Sequence, residues 1–541
     1  MEVADVLMEA MARRGITNLW FTSGTELGFF QEAYQKARAE GRPTPTLRTC
    51  PHEHVALAAA GGESRVTGRP SATAAHVDVG LINAGGAIHN AFRGGYPVLM
   101  MSGYAPSAPP GSRRGARDSY IQWQQQLPDQ GQIVRPYMKW DHRLNAWDDP
   151  DLVVGRAVQM MLSAPQGPAY LALPREVTMA EAAPPAPPQP LAPVTLGAPD
   201  PAVLAEVADA LANAEMPVIS ADRAPAEAAP HLLALAELLG APVSCGGSLF
   251  AIPSEHPLAR GPAASFRLPP ATDFVLAVDV PVPWVPRPGD PTPRMAAIGS
   301  DPILAATPLY EFPCDWSILA RTDLALAQLV EEVQRRLTPA GRQRCRARRE
   351  AMSVRRPAAT TLRGLAQEAL GRALGPEGVI FHEMAEPDLF RRTRPGTLFG
   401  HAASSIGWAA AAAVGGKVAG GDLPVAAVCG DGSWFFANPP ATLWTAAHHD
   451  APVVIMVLNN AGYRTGTVMV AADYPEGYAV RRRDFEGGWL GPSPDFAAMA
   501  RACDCFGASV SNAAEVEPAL REALAARVPA LIDVRLPQIG R

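Results

Sequence analysis

The sequence predicts an α/β protein made of three doubly wound parallel-sheet domains, and three observations carry that prediction. The chain has 541 residues, too many for one hydrophobic core and in the range of about three domains. Short apolar runs of strand length alternate with longer helical stretches, the pattern of βαβ units. Such a unit of similar size recurs three times, with Pro-Val followed by apolar residues in each.

The first unit covers residues 1–180. Val3 to Arg13 reads as a helix and Ile16 to Phe21 as a strand ending in the polar turn Thr22-Ser23-Gly24-Thr25. Leu47 to Cys50 is a short strand, Glu53 to Thr67 a helix, Ser71 to Val77 a strand and Leu81 to Phe92 a helix. Pro97 to Met101 and Ala169 to Leu173 complete the strands. Residues 181–198 are dense in proline and nearly free of charge, a semi-rigid linker. The second unit, 199–337, places strands at Pro217–Ser220, Pro242–Cys245, Phe274–Val278 and Ala296–Ile298. Residues 338–358 form a second linker, overlapping a basic cluster from Arg335 to Arg356. That cluster lacks interleaved aromatics, so it reads as a solvated helix plus linker. The third unit, 359–541, ends with a helix near Glu515 to Arg527 and a strand at Ala530–Val534.

Hydrophobic content of 48%, charged content of 18% and a formal net charge of −6 describe an ordinary globular chain with no reason to bind nucleic acid. Seven cysteines, an odd number, fit a reducing compartment. Met1 to Asp5 lacks a basic-then-apolar leader. Ser404, Ser405 and Lys417 interrupt the Ala/Gly-rich run from Ala402 to Gly421, which argues against a membrane span. A cytoplasmic protein is expected.

The chemistry concentrates between Pro424 and Tyr463. A buried strand, Pro424 to Val428, leads through Cys429 into a tight turn, Gly430-Asp431-Gly432-Ser433. Asn438-Pro439 then opens a helix, and a second strand, Val453 to Leu458, ends in Asn459-Asn460. In a parallel sheet both turns lie at the carboxyl edge, where open α/β sheets bind ligands. There the Asp431 carboxylate, the Asn460 amide oxygen and the Gly462 carbonyl form a small set of hard oxygen donors suited to Mg²⁺. Gly430 and Gly432 let backbone N–H groups approach a phosphate, and Ser433 adds a hydroxyl.

GDGS, a gap and then LNN resemble the diphosphate-binding signature of the thiamine-diphosphate enzymes, in the branch holding acetolactate synthase, benzoylformate decarboxylase and pyruvate decarboxylase. The LWTAA segment and the Asn-Asn-x-x-Tyr ending at Tyr463 are especially similar to benzoylformate decarboxylase. The resemblance implies aminopyrimidine-binding, central and diphosphate-binding domains in that order. It also implies thiamine diphosphate and Mg²⁺ as cofactors, and a homodimer or homotetramer with active sites at the subunit interface.

Further roles follow from that resemblance. Glu53, in Pro51-His52-Glu53-His54, resembles the family's glutamate that bonds the pyrimidine N1′ and lets the cofactor become a nucleophile; His54 departs from the family's glutamine. Ile406, in Ser404-Ser405-Ile406-Gly407, is similar to the aliphatic prop that bends the cofactor, with the Ser404 carbonyl facing its amino group. His76 resembles the active-site histidine of benzoylformate decarboxylase and can move protons near neutral pH. Gly24, Thr25 and His401 are expected to line the substrate pocket.

Departures limit the match. His382-Glu383-Met384-Ala385-Glu386 stands where relatives place small or hydroxyl residues near the diphosphate. The central unit lacks a Gly-x-Gly turn after Pro217–Ala221, so a nucleotide there is unsupported. The expected activity is acetolactate-synthase-like: non-oxidative decarboxylation of a small 2-oxo acid, followed by product release or carboligation. Simple benzoylformate-decarboxylase-like chemistry, lysis of a 2-hydroxyacyl thioester and a catalytically silent scaffold are the alternatives.

Overall fold

The computed structural model describes residues 1–182, 190–245, 251–262, 266–354 and 359–538. Its strands form three six-stranded parallel sheets. The first sheet holds β1 (Asn18–Phe21), β2 (Thr46–Thr49), β3 (Ser71–Ala75), β4 (Val98–Tyr104), β5 (Trp140–Arg143) and β6 (Ala169–Pro174) in the order β2-β1-β3-β4-β6-β5. The second holds β7 (Pro217–Ala221), β8 (Val243–Ser244), β9 (Ala259–Arg260), β10 (Phe274–Val278), β11 (Arg294–Gly299) and β12 (Trp316–Leu319) in the order β12-β11-β10-β7-β8-β9. The third holds β13 (Val379–His382), β14 (Leu398–Gly400), β15 (Val425–Gly430), β16 (Val454–Asn459), β17 (Phe506–Val510) and β18 (Ala530–Arg535) in the order β14-β13-β15-β16-β18-β17.

The first and third sheets share one topology: each strand of the first has a counterpart in the third at the same place in chain order and in the sheet. The second has the 3-2-1-4-5-6 order of doubly wound nucleotide-binding folds. Compactness divides the chain differently from its sheets. One unit contains residues 1–194, 381–384 and 401–541; the other contains 195–380 and 385–400. The first and last thirds of the chain therefore pack as one body.

Central strands follow their apolar runs, since a parallel sheet covered on both faces buries every side chain of its inner strands. Leu19, Phe21, Ala72, Ala74, Leu99, Met101 and Leu171 join one core beneath the first sheet. The Glu53–Thr67 helix has the predicted limits. Edge strands are less visible in the sequence. β5 reads Trp-Asp-His-Arg and pairs only with β6, so no apolar run announces it.

Three expectations need correction. Gly430–Ser433 is no tight turn: Gly430 is the N-cap of a six-residue helix, Asp431–Phe436. Asn438 does precede the Pro439–His448 helix, but in a left-handed conformation without a side-chain cap. The basic cluster is also more than a solvated surface. Its Pro339–Ala351 helix sends Arg348 to the carbonyls of Ala214, Glu215 and Leu239, and Arg344 to that of Ala212. These carbonyls end the Pro201–Asn213 and Ala229–Leu239 helices, where a cation complements both orphan acceptors and helix dipole. Of the first linker, residues 183–189 lie outside the described residues; beyond them Ala192 and Val194 bond Gln159 and Ser163. Among the described residues no helix is long and apolar enough to cross a membrane.

The large unit is knit by a backbone-to-backbone contact between the Glu53–Thr67 and Trp408–Gly420 helices. A Cβ placed on Gly62 would lie 1.9 Å from the Ala412 carbonyl oxygen, and one on Gly415 would lie 1.9 Å from that of Ala59. Backbone on both sides leaves little room to relax. Gly62→Val and Gly415→Val are each expected to cost about 3 kcal/mol or more by overpacking, read as a lowered urea midpoint. Gly28→Ala, in a helix with nothing within 4 Å of the added atom, is the neutral control.

Candidate active site

Chain order reverses between β1 and β3, which pair with Phe21 opposite Ala74. The segments leaving these strands meet at the carboxyl edge, the switch point where such sheets bind ligands. From β3 comes His76, and from β1 come Gly24, Thr25 and Glu26. His76 Nε2 lies 2.6 Å from Glu26 Oε2 and 3.4 Å from Thr25 Oγ1. Gly24 presses against the imidazole edge, for a Cβ there would stand 2.1 Å from His76 Cδ2.

Glu26 is the residue that the sequence reading missed. It is fully buried, and it also accepts from the Thr25 hydroxyl and from Gln122 Nε2 at 3.2 Å. Burial works to raise its pKa, but the bonds from His76, Thr25 and Gln122 outweigh it and bring it down to about 2. The available signal was an acidic residue directly after a turn already marked as polar. Gln122, over forty residues beyond β3, has no such signal.

Glu53 opens its helix on the same edge, with His52 as the N-cap. Its carboxyl is mostly buried and accepts from Asn83 Nδ2 at 3.3 Å. A Cβ on Gly80 would meet Glu53 Oε1 and the Ala75 Cβ, each at 3.1 Å. Glu53 and Ala75, the last residue of β3 and the one before His76, therefore flank the same glycine.

On the third sheet, β15 and β16 are neighbours with Gly430 opposite Leu458, so Asp431 and Asn460 leave adjacent strands. Asp431 Oδ2 accepts from the Gly462 N–H at 2.9 Å. The Asn460 amide lies 3.1 Å from Asp431 Oδ1 and 2.9 Å from the Gly462 carbonyl oxygen. With its oxygen inward, three oxygens face each other, which a cation reconciles; with its NH₂ inward, it donates to both. The set fits Mg²⁺, which takes hard oxygens and keeps the rest of its octahedron for water and phosphate. Among the described residues no group of three or more His, Cys, Asp or Glu side chains is placed to hold a metal. Burial raises the Asp431 pKa against the opposing backbone N–H groups. Gly432 has no room for a side chain because the Tyr463 ring lies 2.6 Å from where its Cβ would be.

Ser404, Ser405 and Ile406 precede the Trp408–Gly420 helix rather than belonging to it. Ile406 is only half-buried, so it is not a core residue of that helix. The Ser405 carbonyl accepts from Asn90 Nδ2 at 2.8 Å. The His401 N–H donates to the His382 carbonyl at 3.3 Å. His382 is buried without a partner for Nε2, and burial, with His401 beside it, pushes its pKa down to about 3. Glu383, from the stretch that departs from the small or hydroxyl residues of relatives, accepts from the N–H groups of Gly407 and Ala409. Within one chain His54 Nε2 reaches the Gly407 carbonyl at 3.2 Å. Among the described residues no hydrogen bond joins Glu53 itself to the Asp431 group.

The Glu26 pKa has a measurable consequence. Its folded-state value lies below the ordinary 4.5, so the stabilisation is complete above that pH and is lost as pH falls toward 2. Glu26→Gln is expected to cost about 2–3 kcal/mol at pH 7. The gap between wild type and variant, measured by urea unfolding, should narrow steadily below pH 4.5.

Two family models match the chain: the N-terminal TPP binding domain of thiamine pyrophosphate enzymes over residues 1–133, and their C-terminal TPP binding domain over 381–534. Together they cover more than half of it. A benzoylformate decarboxylase from Pseudomonas aeruginosa is 28% identical over 97% of both chains. A probable acetolactate synthase from Mycobacterium bovis is 26% identical over 99% of this chain and 95% of its own. The solved structure of a Rhodococcus jostii thiamine diphosphate-dependent 4-hydroxybenzoylformate decarboxylase superposes with a TM-score of 0.80 over the full length of both chains at 24% identity, a likeness of fold. With both thiamine-binding domains matched and the three-sheet fold shared along its whole length, the chain belongs to the thiamine pyrophosphate enzyme family.

Proposed function

We propose that this enzyme is a Mg²⁺- and thiamine-diphosphate-dependent decarboxylase of small 2-oxo acids that chiefly releases its product as an aldehyde. Residues 1–180, 199–337 and 359–541 are its aminopyrimidine-binding, central and diphosphate-binding domains. The observation that carries the reading is the placement of Glu53 across Gly80 from Ala75, the residue before His76, at one sheet edge, with His76 held by a buried carboxylate.

When bound, the cofactor supplies a carbon nucleophile for the ketone carbon and an electron sink as CO₂ leaves. Asp431, Asn460 and the Gly462 carbonyl would hold the cation. Gly430, Gly432, Ser433 and Tyr463 would line the diphosphate, and Ser404, Ser405 and Ile406 the rings. Glu53 would hold a proton at the pyrimidine. His76 has Nε2 committed to Glu26, which fixes the ring, so its role would be to give or take the proton that decides the fate of the product. A fixed proton donor favours release over carboligation, which puts benzoylformate-decarboxylase-like chemistry ahead of the acetolactate-synthase-like expectation. Gly24, Thr25 and His401 would face the substrate.

With Mg²⁺ and thiamine diphosphate supplied, a screen of aliphatic and aromatic 2-oxo acids, with and without acceptor aldehydes, should show CO₂ release and free aldehyde. No CO₂ from any of them would refute the reading. Glu53→Gln should keep the fold and lose at least roughly a hundredfold in kcat. His76→Ala should slow the proton-transfer step after CO₂ loss, seen as CO₂ release outrunning aldehyde in a single turnover.

Assembly is part of the same proposal: a homodimer or homotetramer with active sites shared between subunits. Exposed apolar side chains at Phe436, Met469 and Tyr474, near the Asp431 group in sequence, support it. Glu53→Gln and Asp431→Ala would each be inactive alone; dissociated, mixed and reassociated, they should regenerate activity. Recovery of none from a well-formed mixed oligomer would place each site within one chain.

A further inference from the structure

Two residues that depart from the family pattern, His54 and Glu383, converge on a single peptide. The Gly407 N–H donates to Glu383 Oε2 at 2.8 Å, and its carbonyl lies 3.2 Å from His54 Nε2. The second carboxylate oxygen of Glu383 accepts from Ala409 N–H at 2.6 Å. From these contacts we propose that His54 and Glu383 are positioning residues that clamp Gly407 from both sides and so hold Ser404, Ser405 and Ile406, the segment before it, in the place from which they meet the cofactor. The inference rests on the reading of Ser404–Ile406 as the segment that touches the cofactor.

Three features make Gly407 a place where position is decided. Its φ of +94° suits glycine alone among common residues. A Cβ there would lie 2.5 Å from the Phe436 carbonyl carbon, at the end of the helix that Asp431 opens. The peptide thus abuts the Asp431 helix, the Glu53 helix and the end of β13 at once. Ile406, outside the core and before the helix begins, has its location dictated largely by the residue that follows.

The chemistry of each grip suits its place. Glu383 is completely buried, and its charge is answered by two N–H groups at the start of a thirteen-residue helix, where the dipole also favours an anion. His54 is buried, and burial lowers its pKa. A neutral imidazole with its proton on Nε2 is the form that can donate to the Gly407 carbonyl. His54 lies in the Glu53 helix, so its bond ties the Gly407 peptide to that helix within one chain.

The test is calorimetric titration of thiamine diphosphate, with Mg²⁺, into wild type, His54→Leu, His54→Gln and Glu383→Gln, with kcat and KM measured alongside. Removing the His54 donor should weaken cofactor binding about fivefold and lower kcat at nearly unchanged KM. His54→Gln retains a side-chain N–H and should recover most of that loss. Glu383→Gln turns one acceptor into a donor facing an N–H and should weaken binding about tenfold or more. Wild-type affinity in folded His54→Leu and Glu383→Gln would overturn the clamp, whatever their melting temperatures. Should Glu383→Gln fail to fold, the His54 pair decides alone. A wild type that binds no thiamine diphosphate would bring down the cofactor reading itself, and the clamp with it; normal binding by wild type and variants alike would remove only the clamp.

Discussion

The large unit depends on two helices approaching until backbone meets backbone. Gly62 against Ala412 and Gly415 against Ala59 leave no layer of side chains between the Glu53–Thr67 and Trp408–Gly420 helices. Each helix has a functional candidate at or just before its N-terminus: Glu53 begins one, and Ile406 and Gly407 precede the other. Close packing of small residues therefore does more than bury surface. It fixes the relation of two helix starts more than 350 positions apart in sequence, a precision that longer, rotatable side chains would not supply. The alanine and glycine content of both helices follows from that demand.

The same strand order serves the first and third sheets, but their edges are dressed differently. At the first edge stand a carboxyl, Glu53, and an imidazole, His76, backed by Glu26. At the third, Asp431, Asn460 and the Gly462 carbonyl converge as oxygens. Parallel topology brings every strand end to one edge, and the reversal of chain order opens a gap there. Function is then assigned by the few residues that leave each strand. The carboxylates show how far environment decides charge: Glu26 is drawn down to about 2 by donors, whereas burial pushes Asp431 up despite its backbone N–H bonds. One acts as a fixed charge beside an imidazole; the other has charge still to be compensated.

Much of this was legible because inner strands of a parallel sheet are apolar along their whole length. Phe274–Val278 and the Glu53–Thr67 helix have the limits that the sequence indicates. Edge strands such as β5 carry no such run, since one side pairs and the other meets solvent. The Asp431 and Asn460 motif was readable because its residues are close in sequence. Glu26 and Gln122 were not, because their link to His76 spans 50 residues on one side and Gln122's link to Glu26 spans 96. Arg348 illustrates another limit. A basic run gives no hint that one guanidinium will gather three carbonyls from two helix ends.

The departures from the family pattern are instructive for the same reason. An acidic residue beside an expected diphosphate should repel it, and a histidine in place of glutamine after Glu53 should disturb the helix start. In the structure both side chains are engaged with the peptide at Gly407. Glu383 spends its charge on two helix-initiating N–H groups and presents none of it outward, while His54 does with an imidazole what a glutamine amide can also do, donate to a carbonyl. A local violation is tolerated when a neighbouring group supplies the missing partner. Here both violations find that partner in one glycine, whose own backbone no other residue could adopt. A misfit noted residue by residue becomes, once folded, the mutual requirement of three positions.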